Sequence, residues 1–298
     1  MTLHISKDAA DKVGSAILIS GSGRSGTTII GKLLHSFKGV EYAFEPPMLV
    51  TLMPLIHKMD EHTWRLLYET YLYEDFLINA LSGRLINTNQ ADDSSIYQVK
   101  TESELHARLS RSIRKVEAEQ LASFSTLVYK LPNIVPLLPK LAEYYPATRF
   151  LIMKREAIGT INSLIQKEWF SDVSVRASTV WPYRLVGDIK VPSWVKEEDD
   201  AIWANMSEID RCAYYYIRVN ENLENIPNKI ELSYQKLLNN PQAVAEELAD
   251  SFGLEFGEKT PEIITSIQPA DRNRDLDILH KISPALLPTV VYFSDRSV

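Results

Sequence analysis

The sequence has 298 residues, of which 45% are hydrophobic and 24% charged, so it can form a globular protein with a large buried core. The formal net charge of −7 argues against general attraction to nucleic acid or to an anionic membrane, and an anionic ligand would need a local basic pocket. The single cysteine, Cys212, excludes a disulfide within the chain and a cysteine metal site, and the histidines show no paired ligand spacing.

The amino-terminal segment 1–14 is polar, and the sequence contains no run of about 18 apolar residues. A secretory signal peptide and a membrane-spanning helix are therefore not expected. The sequence favours a cytoplasmic location.

The stretch 16–28 predicts a strand, a glycine-rich loop and the start of a helix. Residues 16–19 are a short apolar run that suits a buried parallel strand, and apolar residues recur at helical spacing after the loop, up to Phe37. Because backbone N–H groups and the helix dipole favour negative charge at such a helix start, we expect the loop to bind a phosphate. The residues that would bind it are Gly23, Arg24, Ser25, Gly26, Thr27 and Thr28.

The residues of this glycine loop (21–28) bear on which phosphate chemistry it supports. Gly21 and Gly26 have the spacing of the NTP-binding P-loop, and Thr28 stands at its Ser/Thr position, but Thr27 stands where that motif has lysine. The cation lies inside the loop instead, at Arg24. A P-loop kinase or NTPase is one alternative reading, and a non-catalytic nucleotide-binding protein is another.

Four more strands are predicted along the chain, at residues 41–44, 126–131, 149–154 and 229–233. Helices are predicted over 51–81, 102–123, 132–145, 156–169 and 201–225, and a final apolar helix in the tail. Asn240 and Pro241 predict the beginning of a further helix that ends near Phe252, with Gly253 as its cap. Residues 83–95 are loop-like, and residues 171–200 are the least regular part.

Strands that alternate with helices predict an α/β protein with a three-layer, P-loop-like fold, in which helices flank a central, mostly parallel sheet of about five strands. Ligands of such folds bind at the carboxyl ends of the strands. Arg24 in the glycine loop, Lys130 and Arg155 all follow or end a predicted strand, so we expect three cations at one edge of the sheet. We expect a single domain over residues 1–298, with helical or loop insertions for substrate binding at about 51–125 and 171–205.

The glycine loop resembles the loop that binds the 5′-phosphosulfate in sulfotransferases, which take a sulfuryl group from PAPS (3′-phosphoadenosine 5′-phosphosulfate) and release PAP. Arg155, at a strand end, and Ser163, in the helix that follows, resemble the pair with which these enzymes bind the 3′-phosphate of PAPS. A phosphomonoester calls for a bidentate guanidinium and a hydroxyl donor, and this pair offers both. The resemblance covers most of the chain and is weakest over residues 51–126 and 171–200.

Two further segments carry the resemblance to the catalytic residues of this family. Residues 129–132 resemble a segment of the aryl and steroid sulfotransferases, but Lys130 replaces their catalytic histidine, which is similar to the tyrosylprotein sulfotransferases. A lysine suits stabilisation of charge on the sulfate rather than removal of a proton. Glu45, in a Phe-Glu-Pro segment that looks like one of the carbohydrate 6-O-sulfotransferases, is the candidate base for the acceptor proton. With Arg24, these two are the expected catalytic residues.

The last matching segments lie toward the carboxyl terminus. Tyr234, in residues 233–238, resembles a tyrosine near the adenine or the 3′-phosphate. Arg272 and Arg274 resemble the basic segment that closes over the 3′-phosphate. No metal is expected, because cationic side chains would take the role that Mg²⁺ has in P-loop enzymes.

The sequence is thus identified as a member of the PAPS-dependent sulfotransferases, closest in motif to the carbohydrate 6-O- and tyrosylprotein-type enzymes. The resemblance implies transfer to a hydroxyl, less readily to an amine, of a small-molecule or carbohydrate acceptor. Since loops on a rigid scaffold carry specificity, we expect the acceptor in the two weakly matching regions. The second of these regions is rich in aromatic residues, which could stack on a sugar or a flat aglycone, or form a hydrophobic lid: Trp169, Trp181, Tyr183, Trp194 and Trp203.

Overall fold

The computed structural model describes residues 3–92, 95–177, 182–268 and 275–297, and its centre is a five-stranded parallel sheet. Its strands are β1 (Ile17–Gly21), β2 (Val40–Phe44), β3 (Thr126–Lys130), β4 (Arg149–Lys154) and β7 (Lys229–Ser233). They lie in the order β2-β3-β1-β4-β7, and every neighbouring pair is parallel. A separate antiparallel hairpin consists of β5 (Tyr183–Val186) and β6 (Ile189–Pro192).

Helices connect the strands and cover both faces of the sheet. They are α1 (Lys7–Gly14), α2 (Thr27–His35), α3 (Pro47–Leu52), α4 (Glu61–Thr70), α5 (Asn79–Leu81), α6 (Glu102–Ser110), α7 (Lys115–Phe124), α8 (Leu138–Tyr144), α9 (Ala157–Ile165), α10 (Ser174–Ala177), α11 (Asp200–Ala204), α12 (Glu208–Asn220), α13 (Tyr234–Asn239), α14 (Pro241–Phe252), α15 (Thr260–Ser266) and α16 (Leu287–Asp295). A π-helical stretch, Tyr71–Ile78, joins α4 to α5.

The alternation of side chains along β1 shows why the sheet is buried on both faces. All five residues of β1 are buried. Leu18 packs into a core with residues of α4, α8 and the π-helical stretch, whereas Ile17 and Ile19 pack into a second core with residues of α2 and α14. A strand with both faces covered needs an uninterrupted apolar run, and residues 16–19 supply it. The predicted three-layer α/β fold is confirmed.

Two long helices predicted from the sequence are each divided in two. The prediction over 102–123 is wrong because α6 ends at Ser110 and α7 begins only at Lys115, after an extended Arg111. The prediction over 201–225 is wrong because the Ser207 side chain accepts a hydrogen bond from the backbone N–H of Asp210 and starts the new helix α12. In both cases the helical spacing of apolar residues continues across the point where the backbone leaves the helical conformation.

Other local predictions agree with the structure. Asn240 caps α14 by accepting from the N–H of Ala243, Pro241 is its first residue, and Gly253 ends it in the left-handed region. The helix predicted over 132–145 is shortened to α8, which follows a 3₁₀ turn at Val135–Leu137. A membrane-spanning helix is not found among the described residues.

Candidate functional site

The glycine loop follows β1, the central strand of the sheet, where the chain connections on the two sides run in opposite directions. β1 lies between β3 and β4, and the parallel register brings Gly21, Lys130 and Lys154, the last residues of these strands, to the same edge. Open α/β sheets bind ligands at this kind of switch point, outside the carboxyl ends of the strands.

The glycine loop has the backbone of an anion site. Gly26 adopts φ +93° immediately before α2, and no side chain caps this helix start. Arg24 also adopts a positive φ, +71°, and the Ser25 hydroxyl donates to the carbonyl of Ser22 at 2.7 Å within the loop. Uncapped N–H groups at a helix start, together with the helix dipole, favour an anion.

All three glycines of the loop are required by close contacts, and a Cβ on Gly21 would lie 2.3 Å from the backbone oxygen of Met153. A Cβ on Gly23 would lie 2.5 Å from the ring of Trp169, and one on Gly26 would lie 2.6 Å from the ring of Tyr234. Aromatic side chains from other parts of the chain therefore pack directly on the loop backbone. Trp169 follows α9, and Tyr234 begins α13.

On the β4 side of the loop, the predicted 3′-phosphate residues come together. The Arg155 Nη1 donates to the carbonyl of Arg24 at 2.7 Å, and the Arg24 Nε donates to the Ser163 hydroxyl at 3.1 Å. The guanidinium of Arg155 lies 4.6 Å from the ring centre of Tyr234. Arg155 and Ser163 are buried and hydrogen-bonded, so their guanidinium and hydroxyl groups are held in fixed positions on this side of the loop.

On the β3 side of the loop, the predicted catalytic residues come together. The Lys130 Nζ lies 2.6 Å from Glu45 Oε1, donates to the Thr28 hydroxyl at 2.9 Å, and lies 4.0 Å from the ring centre of Phe44. The backbone N–H of Glu45 donates to the carbonyl of Lys130 at 3.1 Å, and Glu45 adopts φ +41°. Burial lowers the pKa of Lys130, while the Glu45 carboxylate acts in the opposite direction. A carboxylate and an ammonium group therefore stand as a pair beside the start of α2.

Not every predicted site residue can be placed in this arrangement. Arg272, Arg274 and Trp181 lie outside the described residues. Thr27 is buried at the start of α2. The other predicted residues fall into the two clusters described above, with Arg24 and the loop between them.

Sequence reasoning missed two residues that contact the loop, Tyr215 and Asn133. The backbone N–H of Gly23 donates to the Tyr215 hydroxyl, which in turn donates to Oδ1 of Asn133. Tyr215 lies in a run of three tyrosines that reads as helix core, and Asn133 follows Pro132 as an ordinary turn residue. Of the two, only Asn133 gave a weak signal in the sequence: an asparagine just after a strand end indicates a turn, because asparagine tolerates a positive φ.

A cavity of about 480 Å³ opens beside the glycine loop. Its lining includes the aromatic residues Trp169, Phe170, Tyr183 and Trp194, together with Asn133. A second cavity, of about 280 Å³, shares Asn133 and Trp194 with it. Trp203 is buried and packs against Phe170 and Trp194 instead of lining the larger cavity. The aromatic residues of this region thus form part of a cavity wall and part of the core, and their stacking on an acceptor stays a prediction.

Comparisons with known proteins give a family match. The model of the sulfotransferase family matches residues 16–258. A sulfotransferase domain from the curacin biosynthetic pathway is 16% identical, with a TM-score of 0.49 over 95% of this chain and 96% of that chain. A sulfotransferase from Mycobacterium avium is 14% identical, with a TM-score of 0.48 over 95% of this chain and 77% of that chain. The sulfotransferase domain of a Synechococcus olefin synthase is 12% identical, with a TM-score of 0.47 over 94% and 93%. No curated protein matches the sequence closely enough to count as a relative.

Proposed function

This chain belongs to the sulfotransferase family, and on that premise we propose that it transfers a sulfuryl group from PAPS to a hydroxyl group of a small-molecule or carbohydrate acceptor. The observation that carries the choice of donor is the presence of a cationic side chain on each side of the glycine loop, Arg155 on the β4 side and Lys130 on the β3 side. PAPS has two anionic parts, a 5′-phosphosulfate and a 3′-phosphate, and cationic side chains on both sides of the loop support a donor of this kind.

The residues fit the donor at both parts. The uncapped start of α2, with Gly26 held against Tyr234, would hold the 5′-phosphosulfate through backbone N–H groups. Arg155 and Ser163 would hold the 3′-phosphate, since a guanidinium and a hydroxyl are suited to a phosphomonoester. Tyr234 lies against Arg155 and would border the adenosine.

In the proposed mechanism the side chains on the β3 side divide two tasks. PAPS would supply an electrophilic sulfur and a phosphate leaving group. The Glu45 carboxylate takes the proton of the acceptor hydroxyl as its oxygen attacks. Lys130 and Arg24, with the N–H groups of the loop, stabilise the negative charge on the transferred group and on the leaving phosphate. Lys130 is paired with Glu45 in this structure, so an incoming anion would share the lysine and leave the carboxylate free to act as base.

The acceptor would reach Glu45 from the aromatic cavity beside the loop. Trp169 lines this cavity and also packs on Gly23, so the cavity adjoins the loop that carries Arg24. Aromatic walls suit a sugar face or a flat aglycone, which is compatible with a small-molecule or carbohydrate acceptor.

The main competing function is that of a P-loop kinase or NTPase. Such an enzyme clamps the β- and γ-phosphates with a lysine in the loop, and Thr27 stands at that position here. The cation nearest to Thr28 is instead Lys130, which comes from the neighbouring strand β3. This difference favours the sulfotransferase chemistry.

Thermal unfolding with PAP, ADP and ATP–Mg²⁺ tests the donor. A ligand at about 100 times its Kd adds about 2.7 kcal/mol to the free energy of unfolding. We expect PAP to raise the Tm by roughly 4 °C and Arg155→Ala to lose that increase relative to its own ligand-free Tm. Arg149→Ala is the matched control, because Arg149 begins β4 and Arg155 follows the other end of that strand. Stabilisation by ATP–Mg²⁺ with none by PAP would refute the proposal and favour a kinase.

A further inference from the structure

A buried chain of hydrogen bonds joins the glycine loop to two distant parts of the sequence. It runs from the backbone N–H of Gly23 to the hydroxyl of Tyr215 and from there to Oδ1 of Asn133. Tyr215 is completely buried and Asn133 is 6% exposed. We call these three groups and their two hydrogen bonds the loop relay.

The direction of the loop relay follows from the chemistry of its ends. A backbone N–H can only donate, so the Tyr215 oxygen must accept at Gly23, and its own proton is then available for Asn133. Burial raises the pKa of Tyr215, which keeps the phenol protonated as this order requires.

Both ends of the loop relay are attached to rigid parts of the fold. Tyr215 lies in α12, and its ring packs on Phe170 and Trp194, with centroid distances of 5.3 and 5.0 Å. Asn133 follows β3, and its own backbone N–H donates to the carbonyl of Gly21 at 3.2 Å. The loop relay therefore ties the middle of the glycine loop to the sheet on one side and to an aromatic core on the other.

We propose that Tyr215 and Asn133 are positioning residues for the donor, which act by holding Gly23 and thereby the backbone of Arg24 in the anion-binding conformation. Glycine has the widest backbone freedom, so Gly23 is the residue at which the loop would most readily change shape. Arg24 follows directly, at a positive φ that its neighbours must maintain. This inference rests on the proposed function, because the anion that the loop holds is taken to be the phosphosulfate of PAPS.

Tyr215→Phe tests the loop relay with two measurements, one without ligand and one with PAP. In the free protein we expect faster hydrogen exchange in the peptide that spans the glycine loop. We expect the Kd for PAP to rise about tenfold, because the substitution leaves a buried N–H and a buried carboxamide oxygen without partners. A role in packing alone would lower the Tm but would leave both quantities unchanged.

The matched control is Tyr214→Phe. Tyr214 is the preceding residue of the same helix, and its hydroxyl donates to Asp199 at 2.6 Å, away from the glycine loop. The Tyr214→Phe variant also loses one phenol hydroxyl, but we expect it to keep the wild-type rate of hydrogen exchange in the glycine loop and the wild-type Kd for PAP. If Tyr215→Phe behaves like Tyr214→Phe in both measurements, the positioning role is refuted.

Asn133→Gly gives a second, independent variant. Asn133 adopts φ +70°, which glycine accepts, so the change removes the carboxamide and keeps the turn. If the two residues act as one unit, the double variant will lose less binding free energy for PAP than the sum of the losses in Tyr215→Phe and Asn133→Gly. Additive effects would contradict the loop relay. If the wild-type protein does not bind PAP, the proposed function fails, and loop exchange in the free variants still decides whether the relay holds the loop.

Discussion

Replacing Glu45 by glutamine keeps the shape of the side chain and removes the group that we propose as base. The Glu45 carboxylate lies 2.6 Å from the Lys130 ammonium, and a carboxamide at the same place cannot take a proton from an acceptor hydroxyl. Loss of a general base lowers turnover by about 10² to 10⁴. This factor corresponds to about 2.7 to 5.4 kcal/mol in the activation free energy.

The same substitution also affects the stability of the protein, and the two effects must be separated. Lys130 is 2% exposed and Glu45 is 28% exposed, so the ion pair is intermediate between a surface pair and a buried one. We expect Glu45→Gln to lower the free energy of unfolding by roughly 1 to 3 kcal/mol. Turnover must therefore be measured well below the Tm of the variant. The measured quantity is the rate at which PAP forms from PAPS in the presence of an acceptor selected from phenols, alcohols and sugars.

Glu41→Gln is the matched control for this experiment. Glu41 lies on β2, the strand that Glu45 directly follows, and is buried in an ion pair with Arg108 whose two bonds measure 3.0 and 2.5 Å. This pair is not among the groups that contact the glycine loop, so Glu41→Gln should lose stability and keep near wild-type kcat. A near wild-type kcat for Glu45→Gln would show that Glu45 is not the base.

Two further predictions concern the glycine loop and a buried histidine. Gly26→Ala should lower the Tm by a few degrees and weaken PAP binding, because Gly26 has a positive φ and lies against the Tyr234 ring. Gly253 also has a positive φ but has open space around it, so Gly253→Ala should lower the Tm less and leave PAP binding unchanged. Equal losses for both variants would contradict the role of the ring contact. Burial lowers the pKa of His35 to about 3, so the unfolded chain binds a proton that the folded protein excludes, and stability is lost as the pH falls from about 6.5 toward 3. His35→Gln should flatten the dependence of the Tm on pH in this window, and an unchanged slope between pH 6.5 and 5 would contradict the burial of a neutral histidine.

Much of the fold follows from patterns that are local in the sequence. The apolar run 16–19 predicts a strand covered on both faces, and β1 has that environment. Asn240 and Gly253 predict the two ends of α14 because each end is decided by the conformation of one residue and by one or two hydrogen bonds. The breaks before α7 and α12 were missed because apolar spacing alone does not record where the backbone turns.

The site was predictable only in part, for the same reason. The carboxyl ends of parallel strands lie at the same edge of a sheet, so the glycine loop, Lys130 and Arg155 were expected to lie together. The structure places them at one edge. Which groups pair there was not predictable, since the contact of Lys130 with both Glu45 and Thr28 depends on how three separate segments pack. The assignment of residues 51–125 and 171–205 to acceptor binding stays a prediction.

The sequence by itself determined the strand, the glycine loop and the helix start, because residue size, backbone freedom and apolar spacing act over a few neighbouring residues. Tertiary structure alone decided that Tyr215 and Asn133 hold Gly23, and that Trp169 closes over the same residue. These groups lie far apart along the chain, and their side chains have ordinary roles in their own segments. They meet only because α12 and the residues after β3 pack together beside the loop, and no local property of the sequence predicts these contacts.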